Sequence, residues 1–137
     1  MNKKLIVVID GQGGNIGKQL VRMIKDSIEN VTVRAIGTNS IATGNMLKGG
    51  ADEAATGENA LIVACRQADL IIGPIGIAIP DSLLGEVTTK MAEAVGSSDA
   101  KKVLIPFNKC DVNIPGVKNK STSQLIDEAL DLIRDII

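Results

Sequence analysis

Four glycines, Gly11, Gly13, Gly14 and Gly17, separate an apolar run from a helical pattern in the stretch VVIDGQGGNIGKQL, residues 7–20. Glycine lets a backbone approach a ligand closely. The first turn of a helix adds N–H groups without partners and the positive end of the helix dipole. Together they make an anion cradle, which predicts phosphate contacts from Gly11, Gln12, Gly13, Gly14, Asn15, Ile16 and Gly17. Within it Gly14 is expected to face the phosphate, and Gly17, one turn into the helix, to permit close packing on a sheet. Asp10 sets a carboxylate beside the cradle. It either bridges to the phosphate through Mg²⁺ or caps the loop's own N–H groups, and local hydrogen bonding favours capping.

Other chemistry is narrowed by what the chain lacks. It has no His and no Tyr, so no imidazole base, no His metal ligand and no Ser-His-Asp triad, and no metal site is expected. Cys110 lies in a polar loop beside Lys109, which favours thiolate, but a nucleophile there has no His partner. Cys65 falls on an apolar helical face and reads as inert core. Glu58 and Asp81 read as acidic residues at helix N-termini, and Glu86 with Lys90 as an i,i+4 surface pair. No reaction is legible, and whether the chain is an enzyme stays open.

The elements that must position the cradle follow from hydrophobic patterning. Continuous apolar runs predict buried strands over 5–9, 31–36, 69–73 and 102–107, with a weaker one over 52–56. Helical spacing predicts helices over 15–28, 40–47 and 57–68. Another should run from Asp81 or Ser82 to about Val95, carried by Leu84, Val87, Met91 and Val95. The last, capped by Ser121 or Thr122, turns Leu125, Ile126, Ala129, Leu130, Ile133 and Ile137 inward. Alternating strands and helices with fully apolar strands imply a parallel sheet covered on both faces. The expected architecture is a Rossmann-like, doubly wound α/β fold in three layers, with five strands ordered 3-2-1-4-5, and one domain over 1–137.

The polar residues cluster at the strand ends, which in such a sheet share one edge. Thr38, Asn39 and Ser40 follow the second strand, Gly73, Pro74 and Gly76 the fourth, and Asn108 the fifth. The first group is expected to meet a ribose or 2′-phosphate, and the other two to close the far side of the cleft.

Net charge is −1 and the single aromatic residue is one Phe, which argues against nucleic acid and anionic membrane as partners. The apolar stretch after Met1 is too short for a secretory signal, and two cysteines make no disulfide framework, so a cytoplasmic setting is expected. Ile75, Ile77 and Ile79 lie past a strand end, where chain is usually exposed, and suggest a homo-oligomer whose second copy closes the cleft.

The G-x-x-G-x-x-G spacing of Gly11, Gly14 and Gly17 resembles the glycine fingerprint of atypical short-chain dehydrogenases and related dinucleotide-binding proteins. It departs from G-x-G-x-x-G at Ile16, and the second strand ends without the usual acidic residue. Asn108-Lys109-Cys110-Asp111 resembles the guanine-specificity motif of GTPases, although Gln12 and Gln19 replace phosphate-loop residues. Over most of its length, through DGQGGNIGKQL, GTNSIAT, MLKGGADEAATGENA, GPIGI, DSLLGE and NKC, the chain resembles a small uncharacterised bacterial family, a domain of unknown function. That resemblance implies a Rossmann-like domain and no particular activity. The leading expectation is a protein that binds a nucleotide (NAD(P)-like) or other phosphorylated metabolite at the C-terminal edge of the sheet, with NADP or another phosphate-bearing nucleotide as the favoured cofactor. The alternatives are a non-catalytic sensor or assembly subunit using the same pocket, and a degenerate GTP-binding protein.

Overall fold

The structure, a computed structural model, describes residues 3–106, 112–117 and 119–137. Strands β1 (Lys4–Asp10), β2 (Val31–Gly37), β3 (Glu53–Thr56), β4 (Leu70–Pro74) and β5 (Lys101–Ile105) alternate with helices α1 (Asn15–Ser27), α2 (Ser40–Lys48), α3 (Glu58–Gln67) and α4 (Thr89–Ser97). Helix α5 (Thr122–Ile136) closes the chain. All pairings are parallel and the strand order is β3-β2-β1-β4-β5, as the apolar patterning predicts. The register carries Lys4 opposite Val31 through to Asp10 opposite Gly37, so the ends of β1 and β2 lie level at one edge.

Strand residues on both faces are buried because each face meets helices. Ile6 and Val8 pack in one core with Leu20 and Ile24 of α1, Met46 of α2 and Leu130 and Ile133 of α5. Val7 and Ile9 pack in the other with Leu61 and Cys65 of α3 and Met91 and Val95 of α4. A side chain alternates across a strand, so β1 needs an unbroken apolar run to feed both layers.

The structure corrects the expectation of one helix from residue 81 to 95. Only α4 forms there, and Thr88 caps it by accepting from the Met91 N–H at 3.1 Å. The preceding residues turn, because Asp81 (φ 64°), Leu83 (φ 55°), Leu84 (φ 56°) and Gly85 (φ 86°) are left-handed, which no right-handed helix accommodates. Leu84, expected inward, is 96% exposed. Ser82 does not cap a helix; its hydroxyl donates to the Gly76 carbonyl. Past β4 a 3₁₀ turn (Ile75–Ala78) folds Ile77 completely into the core, so that residue offers no surface for self-association. Ile137, expected inward, is 40% exposed.

Candidate functional site

Asp10 organises the glycine loop. It ends β1 and is nearly buried; its Oδ1 accepts from the Gly11 N–H at 2.8 Å and its Oδ2 from the Gly17 N–H at 2.7 Å. The carboxylate therefore caps its own loop, satisfying a donor in the first turn of α1. Between those contacts the chain turns through Gln12 (φ 50°) and Gly14 (φ 72°), closed by Gly14 N–H donating to Gly11 O at 2.9 Å. The N–H groups of Gly13, Asn15 and Ile16 have no acceptor among the described residues. They border a cavity of about 190 Å³.

Residues 11–16 line that cavity from below, and Pro74, Ile75 and Gly76 close it from the end of β4. Of the residues expected from sequence, Gly11, Gln12, Gly13, Gly14, Asn15, Ile16, Pro74 and Gly76 thus come together. Gly17 and Gly73 do not reach the cavity, because both are packing positions. A side chain on Gly17 would lie 2.5 Å from Met46 Sδ and 2.8 Å from Asp10 Cβ, and one on Gly73 would strike the Ile9 carbonyl of the neighbouring strand. Leu83 and Thr122, the first residue of α5, line the cavity without having been expected there. Asn108 and the rest of the Asn108-Lys109-Cys110-Asp111 motif lie outside the described residues.

The glycines divide by what faces them, although Gly13 and Gly14 both line the cavity. A Cβ on Gly14 would sit 2.6 Å from the Ala42 Cα and 2.8 Å from its carbonyl oxygen, so Gly14 is there for the approach of α2. Gly13 is the open one, with nothing nearer than Asn15 Nδ2 at 3.7 Å.

The largest departure from sequence expectation is Glu86. Since the chain turns rather than coils there, Glu86 does not stand one helical turn before Lys90, and its carboxylate reaches into the loop. Its Oε1 accepts from Thr38 Oγ1 at 2.6 Å, from the Gln12 N–H at 2.8 Å and from Asn39 Nδ2 at 2.9 Å. Burial works to raise its pKa, but the bonds from Thr38, Gln12 and Asn39 prevail and hold the carboxyl below the usual glutamate range. Asn39 also donates to Gln12 O at 2.9 Å and accepts from Ala42 N–H at 2.9 Å as the α2 cap. Thr38 and Asn39 therefore face Glu86 rather than the cavity, and Ser40 is the exposed first residue of α2. Nothing in the spacing signals Glu86, which lies 48 residues from Thr38.

Glu58 does stand in the first turn of α3, as expected, and accepts from Thr88 Oγ1 at 2.6 Å. Asp81 lies in the turn and not at a helix start. Cys65 is buried, and burial pushes its thiol up to about 11 against the opposing pull of Lys102. It borders a hollow of about 420 Å³ at the opposite edge of the sheet, whose rim mixes Arg66 and Lys90 with Glu93 and Asp99.

The model of a protein family, the domain of unknown function DUF3842, matches residues 5–137. The chain belongs to this family. No curated protein matches the DUF3842 chain. Its similar solved structures include a dodecameric FMN-dependent UbiX-like decarboxylase from Escherichia coli O157:H7. The two are 21% identical with a TM-score of 0.48, over 97% of this chain and 75% of that one. Glutamyl-tRNA reductase from Methanopyrus kandleri is 16% identical with a TM-score of 0.46, over 99% of this chain and 36% of that one. A nucleoside-diphosphate-sugar epimerase from Pseudomonas aeruginosa is 17% identical with a TM-score of 0.44, over 97% and 48%. Nothing about ligand or reaction carries over from them to the DUF3842 chain. Among the described residues no helix is long and apolar enough to cross a membrane.

Proposed function

We propose that this chain binds a phosphorylated metabolite at the N-terminus of α1. The observation that carries this reading is the set of N–H groups on Gly13, Asn15 and Ile16, which border the cavity without an acceptor among the described residues. A phosphate oxygen supplies the missing acceptors and meets the positive end of the α1 dipole, and no acidic residue in the first turn of α1 competes with it. Asp10, which lines the cavity, has both carboxylate oxygens turned to Gly11 and Gly17 N–H groups, which disperses its charge into the loop. Pro74, Ile75 and Leu83 supply the apolar wall that a carbon skeleton needs.

Thermal shift tests the reading. Inorganic phosphate, glycerol 3-phosphate, AMP and NADP are compared with glycerol and adenosine at millimolar concentration. At least one phosphorylated compound should raise the Tm, and its unphosphorylated counterpart should not. A Tm indifferent to every phosphorylated compound refutes the proposal.

A further inference from the structure

A dinucleotide laid across a doubly wound sheet uses both sides of the first glycine loop, with its nucleoside on the β2 side. In this chain the two sides are unlike. The β4 side holds the cavity of about 190 Å³, smaller than the roughly 300–1,000 Å³ of pockets that enclose drug-sized ligands. The β2 side is filled. Glu86 Oε1 occupies the Thr38 hydroxyl, the Asn39 amide and the Gln12 N–H together, which are the donors a ribose or 2′-phosphate would use. Leu83 packs beside it: a Cβ on Gly11 would lie 2.9 Å from Leu83 Cδ1 and 3.0 Å from Glu86 Oε1.

The segment that delivers these two side chains is a small folded unit. Asp81 N–H donates to Val87 O at 2.7 Å, Val87 N–H to Ser82 O at 3.2 Å and Glu86 N–H to Leu83 O at 3.1 Å. Ser82 ties the unit to the 3₁₀ turn through the Gly76 carbonyl. Its hold on the other side of the cleft is the Glu86 carboxylate, received by residues of both the first loop and the end of β2.

We propose that Glu86 is a specificity-determining positioning residue. It latches residues 81–87 over the β2 side of the glycine loop, denies that side to a nucleoside, and confines the ligand to a small phosphate monoester in the remaining cavity. The inference rests on the reading that the start of α1 holds a phosphate, and it narrows the ligand class within that reading. It also replaces the sequence expectation that Thr38, Asn39 and Ser40 greet a ribose or a 2′-phosphate.

The test compares glycerol 3-phosphate, AMP and NAD by isothermal titration against wild type, Glu86→Ala and Glu86→Gln. Wild type should bind glycerol 3-phosphate at least as tightly as AMP or NAD. Glu86→Ala should keep glycerol 3-phosphate affinity within about twofold and tighten AMP by about tenfold. Glu86→Gln retains an acceptor oxygen of the same reach, so it should preserve most of the wild-type preference, which general loosening of the fold would not do. Thr38→Val removes one latch donor but leaves the Asn39 amide and the Gln12 N–H for a nucleoside, so it should shift the preference in the same direction as Glu86→Ala by a smaller factor, which covers the case of a Glu86→Ala chain that fails to fold. AMP or NAD binding wild type tenfold more tightly than glycerol 3-phosphate would overturn the latch, as would a preference unmoved by both Glu86→Ala and Thr38→Val. In those cases the phosphate site itself survives. Absence of binding by every phosphate compound to every variant would overturn the phosphate reading and the latch with it.

Discussion

Three glycines of one loop should respond to the same added methyl in three different ways. At Gly14 the new Cβ would lie 2.6 Å from Ala42 Cα and 2.8 Å from Ala42 O, both backbone atoms that move only if α2 moves. The residue also has φ 72°, and an L-residue in that region costs about 1–2 kcal/mol. With about 1–3 kcal/mol for overpacking, Gly14→Ala should lose about 2–5 kcal/mol. At Gly17 the backbone is helical, and Ala gains up to about 1 kcal/mol in helix propensity. Against this, the methyl meets Met46 Sδ at 2.5 Å and Asp10 Cβ at 2.8 Å, and Met46 is fully buried with little room to retreat. Gly17→Ala should therefore lose about 0–2 kcal/mol. At Gly13 nothing lies within 3.7 Å, so Gly13→Ala should be neutral or stabilising by up to about 1 kcal/mol through the unfolded chain. That same open position lines the cavity, and the methyl should weaken a bound phosphate monoester by about tenfold. Urea unfolding with a shared m-value gives the stabilities, and titration with glycerol 3-phosphate gives the affinities. Wild-type stability in Gly14→Ala would refute the packing account of that residue. Full affinity in Gly13→Ala, with the fold intact, would refute the cradle.

Two more outcomes follow from the segment above the loop. The folded-state pKa of Glu86 is depressed, so its contribution is complete above the unfolded value, about 4.3, and is lost as pH falls below it toward the folded value. The Tm gap between wild type and Glu86→Gln should therefore be widest near neutrality and close in acid; a gap that is flat or grows in acid contradicts the latch geometry. Leu83 and Leu84 share nearly one backbone conformation, φ 55° and 56°, but are 9% and 96% exposed. Leu84→Gly should be neutral or stabilising by about 1 kcal/mol, because relief of left-handed strain outweighs glycine's chain entropy. Leu83→Gly should lose about 1–3 kcal/mol of apolar burial. Urea melts showing both variants shifted in the same direction by the same amount would sink this distinction.

Local patterning was sufficient for the parallel sheet, its order and most of its helices. Apolar runs such as residues 5–9 can be buried on both faces only between helical layers, and handed crossovers then leave few orders for the strands. Asp10 as a cap was legible for the same reason, since its N–H partners on Gly11 and Gly17 lie within a turn or two of the chain, and Gly17 was legible as a packing glycine from its place one turn into α1, although the Met46 side chain it meets comes from α2. What decided the cleft was contact across long separations. Gly14 meets α2, which the sequence places elsewhere. Residues 81–87 carry helical spacing, yet they fold as a left-handed turn because Leu83 and Glu86 find partners at the ends of β1 and β2. A carboxylate's meaning depends on the donors facing it. The donors of Thr38 and Asn39 reach Glu86 only after the sheet has brought the ends of three strands to one edge.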